Sequence, residues 1–184
     1  MKKSMVLLVS VLVLTACAQP KKEAKESTEN KTEQSTKASS SAKEEKGLKF
    51  VVAPQNEGKT SDLIELGKKL VREHPEVGAQ GEITVYFTGG TYTFKQQEYA
   101  VFMLVNKTTT NLDRDATFKI SWSYAGQQIY QNELVEYKIS ESGELPTQSA
   151  TIFLLPLTTE QKSIVTKIVD ERKMNLSISD IQMK

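Results

Sequence analysis

The chain has 184 residues, with 24 Lys and Arg against 23 Asp and Glu. With so even a balance, no excess of either sign points to nucleic acid as a partner. A single cysteine and a single histidine exclude a disulfide framework and a Cys/His zinc set, and the length suits one ordinary domain with accessory segments.

Two lysines, Lys2 and Lys3, precede a weakly polar run from Met5 to Ala16. That run is about a dozen residues long, where a spanning helix needs about 20. A basic start, a short apolar core and small residues before a cut describe a secretory signal, here residues 1–16. Its last positions and the next residue, Leu14-Thr15-Ala16-Cys17, resemble the lipobox of bacterial lipoproteins. The resemblance implies that the Cys17 thiol accepts a diacylglyceryl group, and that a dedicated peptidase with room only for small residues then cuts after Ala16. Two acyl chains hold a protein on a membrane where one does not, so the expected location is the outer face of the cell membrane. The removed octapeptide Val9 to Ala16 also resembles the short hydrophobic sex pheromones that enterococci release from lipoprotein signal peptides, which implies a possible second use for the fragment.

Residues 18–47 consist almost wholly of Lys, Glu, Ser, Thr, Gln and Ala, with seven lysines and six glutamates interspersed. Without large apolar side chains nothing offsets the entropy of ordering, and a disordered tether is expected over 17–47. A flexible chain of that length has a root-mean-square span of about 30 Å and reaches about 100 Å when straight.

Residues 48–184 carry fifteen Lys and Arg against seventeen Asp and Glu and form the expected folded domain. Asp62 and Glu65, spaced as a capping box, precede Leu63, Leu66, Leu70 and Val71, and His74-Pro75 closes this helix. Ile83, Val85 and Phe87 alternate with polar residues, as do Phe118, Ile120, Trp122 and Tyr124, which predicts half-buried strands. Tyr99 to Val105 is apolar at nearly every position and reads as a strand covered on both faces. Gly89-Gly90 and Ala125-Gly126-Gln127 mark turns, and Asn106 to Asp115 marks a polar loop. Thr158 with Gln161 caps a second helix over Thr159 to Arg172, bearing Ile164, Val165, Ile168 and Val169. A final strand holds Leu176, Ile178, Ile181 and Met183, with a phase slip at Asp180 that predicts a bulge. The expected class is mainly β (α+β): an antiparallel sandwich with one N-terminal and one C-terminal helix.

Three stretches, Val105-Asn106-Lys107-Thr108, Phe118 to Gly126 and Glu144 to Ala150, resemble the small immunoglobulin-like domains of low-GC Gram-positive lipoproteins, including the FxLYD-type group. The resemblance spans roughly residues 99 to 155 and implies an immunoglobulin-like sandwich. It departs from that pattern in lacking an Asp before the glycine and in adding the C-terminal helix.

Catalytic chemistry has little to draw on. His74 is the one histidine available to a nucleophile-base pair and sits at a helix end, where a histidine more often serves as a dipole partner or an exposed loop residue. Asn111, Asp113 and Asp115 place oxygens at alternate positions, yet Ala116 and Trp122 occupy the positions where a calcium loop needs Gly and Glu; a solvated turn is the plainer reading. Gly89-Gly90 lacks the strand-to-helix setting of a phosphate loop. Among the aromatics, Trp122 and Tyr130 are candidates for an interaction face, with core packing as the competing role. No cofactor and no metal are expected. The sequence therefore points to a non-enzymatic, monomeric surface lipoprotein that binds a protein or a cell-wall component. A small-ligand-binding or sensing subunit is the alternative, and an enzyme built on Asp113 and Asp115 would need both to face a cleft.

Overall fold

A computed structural model describes residues 47–184. The signal peptide, Leu14, Thr15, Ala16, Cys17 and the tether up to residue 46 lie outside the described residues. The described chain runs β1 (Lys49–Phe50), α1 (Asp62–Glu73), β2 (Ile83–Phe94), β3 (Gln97–Asn106), β4 (Ala116–Tyr124), β5 (Gln127–Tyr137), the single turn α2 (Ile139–Ser142), β6 (Ser149–Leu157), α3 (Thr159–Val165) and β7 (Met174–Met183). It is mainly β, with two sheets, β1-β6-β3-β2 and β5-β4-β7, an arrangement compatible with a β-sandwich. All pairs are antiparallel except β1 with β6, which is parallel through Lys49↔Ser149 and Phe50↔Ala150.

Alternation along the strands sorts side chains to the two faces of the first sheet. From β3, Ala100, Phe102 and Leu104 join the core between the sheets, while Met103 and Val105 face the other way into a second cluster. Trp122 lies fully buried in the first core, with ring centroids 4.7 Å from Phe87 and 5.1 Å from Phe102. The second cluster is closed by Val71 and Leu70 of α1, with Leu48 and Phe50. A central strand covered on both faces accounts for the unbroken apolar run that the sequence displays there.

Several local expectations need correction. The N-cap of α1 is Ser61, whose hydroxyl accepts from the Ile64 amide at 3.3 Å, so Asp62 moves into the first turn and Glu65 pairs with Lys68. Gly89-Gly90 does not turn the chain. It lies inside β2, where the register with β3 slips between Phe87 and Thr91 and Gly89 takes φ +81°. The hairpin turn falls at Lys95 and Gln96, with φ of 46° and 67°, the conformation a two-residue turn needs.

The capping box at Thr158 and Gln161 forms in both directions, yet α3 ends at Val165 rather than Arg172. Val169 is 90% exposed, so the apolar stripe does not continue. Asp170 instead caps a short 3-10 turn over Glu171–Lys173, and the Ala125 amide donates to the Lys173 carbonyl, drawing the chain into β7. The bulge at Asp180 is present: Thr117 faces Gln182 but Lys119 faces Ser179, and Asp180 has φ +51°.

Candidate functional site

Trp122 and Tyr130 do not form a surface. Both sit in the core, 0% and 4% exposed, their rings stacked at 5.9 Å, and the Tyr130 hydroxyl donates to the Pro156 carbonyl at 2.8 Å. Burial of the whole Tyr130 ring pushes its hydroxyl well above the ordinary value. Inward-facing positions of two packed sheets place them there, and competition for the core decides against the interaction face. The Trp122 indole N–H has no hydrogen-bond partner among the described residues.

The oxygens of the loop after β3 are used separately. Asn111 accepts from the Thr147 amide at 3.0 Å, Asp115 accepts from the Ile139 amide at 2.9 Å and so caps α2, and Asp113 pairs with Arg114. Among the described residues no cluster of His, Cys, Asp or Glu is arranged to hold a metal ion. His74 closes α1 beside Glu76, 3.5 Å away, with its side chain 54% exposed. Glu98 accepts from Thr91 at 2.6 Å, Thr93 at 2.8 Å and pairs with Lys162 at 3.2 Å, which holds its carboxyl down at about 2. All its oxygens are thereby committed to joining β2, β3 and α3.

A groove of about 620 Å³ runs between β2 and β7, the end strands of the two sheets. Hydrogen-bond phase fixes what these edges present. The Lys107 amide donates to the Glu82 carbonyl, so alternate residues from Glu82 bond to β3, and Ile83 and Val85 turn their backbone N–H and C=O outward. On β7 the bond from the Ala125 amide to Lys173 sets the phase in the same way, leaving Leu176 and Ile178 with outward backbone groups. The same four residues send their side chains against the inter-sheet core. Ile181, 39% exposed, lines the groove beyond the bulge.

The groove is lined by no Lys, Arg or His, and Glu82 stands at one end of it. Tyr86, also on β2, packs on the second cluster on the other face of the sheet, and its hydroxyl is pushed above its ordinary value, first by burial and then by the carboxylates of Glu171 and Glu76. Neither Glu82 nor Glu171 has an ion-pair partner among the described residues. Arg172 and Lys173 directly follow Glu171, and the Lys107 ammonium lies against the Glu76 carbonyl at 2.6 Å.

Two further grooves are better accounted for by the fold. One of about 420 Å³ follows the edge of β6 between Phe50, Ile64 and Phe153, where Pro156 ends the edge because it has no amide to offer. Another, of about 530 Å³, surrounds Glu98 and Lys162. Neither Asp113 nor Asp115 lines any of the three grooves.

Comparison of the chain with protein-family models, with curated proteins and with solved structures gives no match. The groove residues were visible in the sequence only as apolar positions of two strands. Which strands end the sheets depends on long-range pairing, and no local signal carries that.

Proposed function

We propose that this protein is a lipid-anchored extracytoplasmic protein, held by Cys17 on the outer face of the cell membrane, whose immunoglobulin-like domain is a non-enzymatic interaction module for a protein or cell-wall partner. The anchor rests on Leu14-Thr15-Ala16-Cys17 at the end of a short apolar run behind Lys2 and Lys3.

The immunoglobulin-like reading is supported by connectivity. Taking β2, β3 and β6 as strands A, B and E, and β5, β4 and β7 as C′, C and F, reproduces both neighbour orders and the sheet changes from B to C and from E to F. Trp122 then stands on strand C, where such domains bury a tryptophan. Phe102 of the B-like strand packs against it. The parallel strand β1, lying on the far side of β6, departs from that plan.

The observation that carries the interaction reading is the groove in which two strand edges, unpaired among the described residues, lie over an apolar floor. Strand edges of this kind recognise extended polypeptides through their backbones.

The test is metabolic labelling with an alkyne fatty acid in a bacterial host that processes lipoproteins. The native chain is expected to be labelled and retained in the membrane fraction, and Cys17→Ala to be unlabelled and released while keeping its fold. Labelling that persists in Cys17→Ala overturns the anchor. Loss of a specific hydrolytic activity on deletion, with no partner captured by crosslinking on intact cells, overturns the module.

A further inference from the structure

We propose that Val51 to Ala53 form a strap poised to close: in a second state they zip onto Ile152 and Leu154, lengthen β1 and shut the groove along the β6 edge. The proposal goes beyond the interaction reading and rests neither on the anchor at Cys17 nor on the groove between β2 and β7.

What points to it is a strand that stops early. Phe50, Val51 and Val52 are residue types that favour strands, yet β1 ends at Phe50. The Lys49 amide donates to the Gln148 carbonyl and the Val51 amide to the Ala150 carbonyl. In a parallel ladder the next bonds run from the Ile152 amide to the Val51 carbonyl, from the Ala53 amide to Ile152, and from the Leu154 amide to Ala53. None of these is made among the described residues. Since Gln148 and Ala150 turn their carbonyls towards β1, Ile152 and Leu154 turn their backbone groups to the same side. There they line the groove of about 420 Å³ together with Val51, Val52 and Ala53.

Two bonds hold the strap off the edge. The Thr151 hydroxyl donates to the Val51 carbonyl at 3.1 Å, taking the acceptor that the Ile152 amide needs. The Asn56 amide donates to the Ala53 carbonyl at 2.8 Å, closing the 3-10 turn over Pro54–Asn56 and taking the acceptor that the Leu154 amide needs. Closure gives up both bonds and makes three, so the two states lie close in free energy. Little else has to change. Ala53 already has extended backbone, with φ −58° and ψ 141°. Pro54 is no obstacle, because alternation along β1 turns its nitrogen away from β6, the side on which an edge strand tolerates proline. Val52 follows Phe50 onto the face covered by α1, where Leu63 and Ile64 line the groove.

A bare strand edge is a template for pairing with other chains. By taking the backbone groups of Ile152 and Leu154, the closed strap withdraws this edge from any extended segment, and its opening restores the edge.

The test is amide hydrogen exchange by NMR on the full chain, 15N-labelled in detergent micelles, with two variants that push the equilibrium in opposite directions. Thr151→Val removes the hydroxyl that holds the Val51 carbonyl and so favours closure. Ala53→Pro suits the φ of the open state, removes an amide that makes no backbone bond there, and sets its ring against β6, so it blocks closure. Leu154 is the reporter, because its amide finds the Ala53 carbonyl only in the closed state. Its exchange is expected to be about tenfold slower in Thr151→Val than in Ala53→Pro, with the native chain between them. Unchanged Trp122 fluorescence in both variants marks an intact core. Equal rates in the two variants, or the reverse order, overturn the proposal. Slow exchange of Leu154 that persists in Ala53→Pro assigns the edge to another segment or to a second copy and overturns it as well.

Discussion

Gly67→Ala sets two effects of known size against each other in α1. Alanine in a helix interior is more favourable than glycine by about 0.8–1 kcal/mol. A Cβ on Gly67, however, would overlap ring atoms Cε2 and Cζ of Phe50 and lie 2.8 Å from Cδ2. Phe50 packs in the cluster of Leu48, Leu70, Val71 and Met103, so the ring moves only by disturbing that cluster. Overpacking of this kind costs about 1–3 kcal/mol, which exceeds the propensity gain. The expected result is a net loss of about 1 kcal/mol, a Tm lower by roughly 4 °C for a domain of this size. Urea unfolding followed through Trp122, the single tryptophan and fully buried, measures it. Phe50→Leu shortens the opposing side chain, and in the double variant the alanine should become neutral or stabilising, a coupling of about 1 kcal/mol or more. A Gly67→Ala chain more stable than the native one, or no coupling to Phe50, refutes the close approach of α1 to β1.

Asn106→Ala should be among the most damaging single changes. This fully buried amide donates to the Thr110 and Leu145 carbonyls at 3.0 and 2.9 Å and accepts from the Thr108 amide and hydroxyl at 3.0 and 2.7 Å. Its removal takes one of two donors from the buried Leu145 carbonyl and releases the Thr108–Thr110 turn, for an expected loss of about 2 kcal/mol in urea unfolding, with faster hydrogen exchange at Thr108, Leu112 and Leu145; a change below about 0.5 kcal/mol would contradict that role. Glu98, held down at about 2 from an ordinary 4.5, favours the folded state above pH 4.5, and that contribution is lost as the pH falls from 4.5 to 2. Carboxyl NMR should find its midpoint near 2 and Glu98→Gln should flatten the acid limb of the stability curve; a midpoint near 4.5 would show that the Thr91, Thr93 and Lys162 contacts are not made.

Signals that act through near neighbours were legible. The Thr158-Gln161 capping box, the Ala125-Gly126 turn and the bulge at Asp180 each depend on a few adjacent residues, and each is where the sequence places it. The run Tyr99 to Val105 announces burial on both faces, and from Ala100 to Val105 every position is buried. What failed did so where one cue serves two structures. A glycine pair permits φ above zero, which suits a turn and a bulge alike, and the register of β2 against β3 chose the bulge. The turn at Lys95 and Gln96 lacks the residues that usually mark one.

The apolar period of the C-terminal helix runs past its real end because Ile168 and Val169 continue it, while the competing bond from Ala125 to Lys173 joins residues 48 apart in the chain. The candidate site suffered most. Trp122 and Tyr130 have composition suited to an interface; the alternation around Trp122 points it inward, while Tyr130 follows the equally buried Ile129 and carries no such signal. The edges flanking the groove come from strands far apart in the chain.

Tension on the described chain from its N-terminal side enters the fold through β1. That strand is two residues long and lies parallel to β6, with the Lys49 amide bonded to the Gln148 carbonyl at 3.0 Å and the Val51 amide to Ala150 at 2.8 Å. A pull along the strand axis loads these bonds together in shear instead of peeling them one after another. The Phe50 ring, wedged against Gly67, adds a steric catch that must clear the helix before the strand can slide. In mechanical terms β1 is a short clamp at the point of load, passing force to β6 through these bonds for as long as it holds.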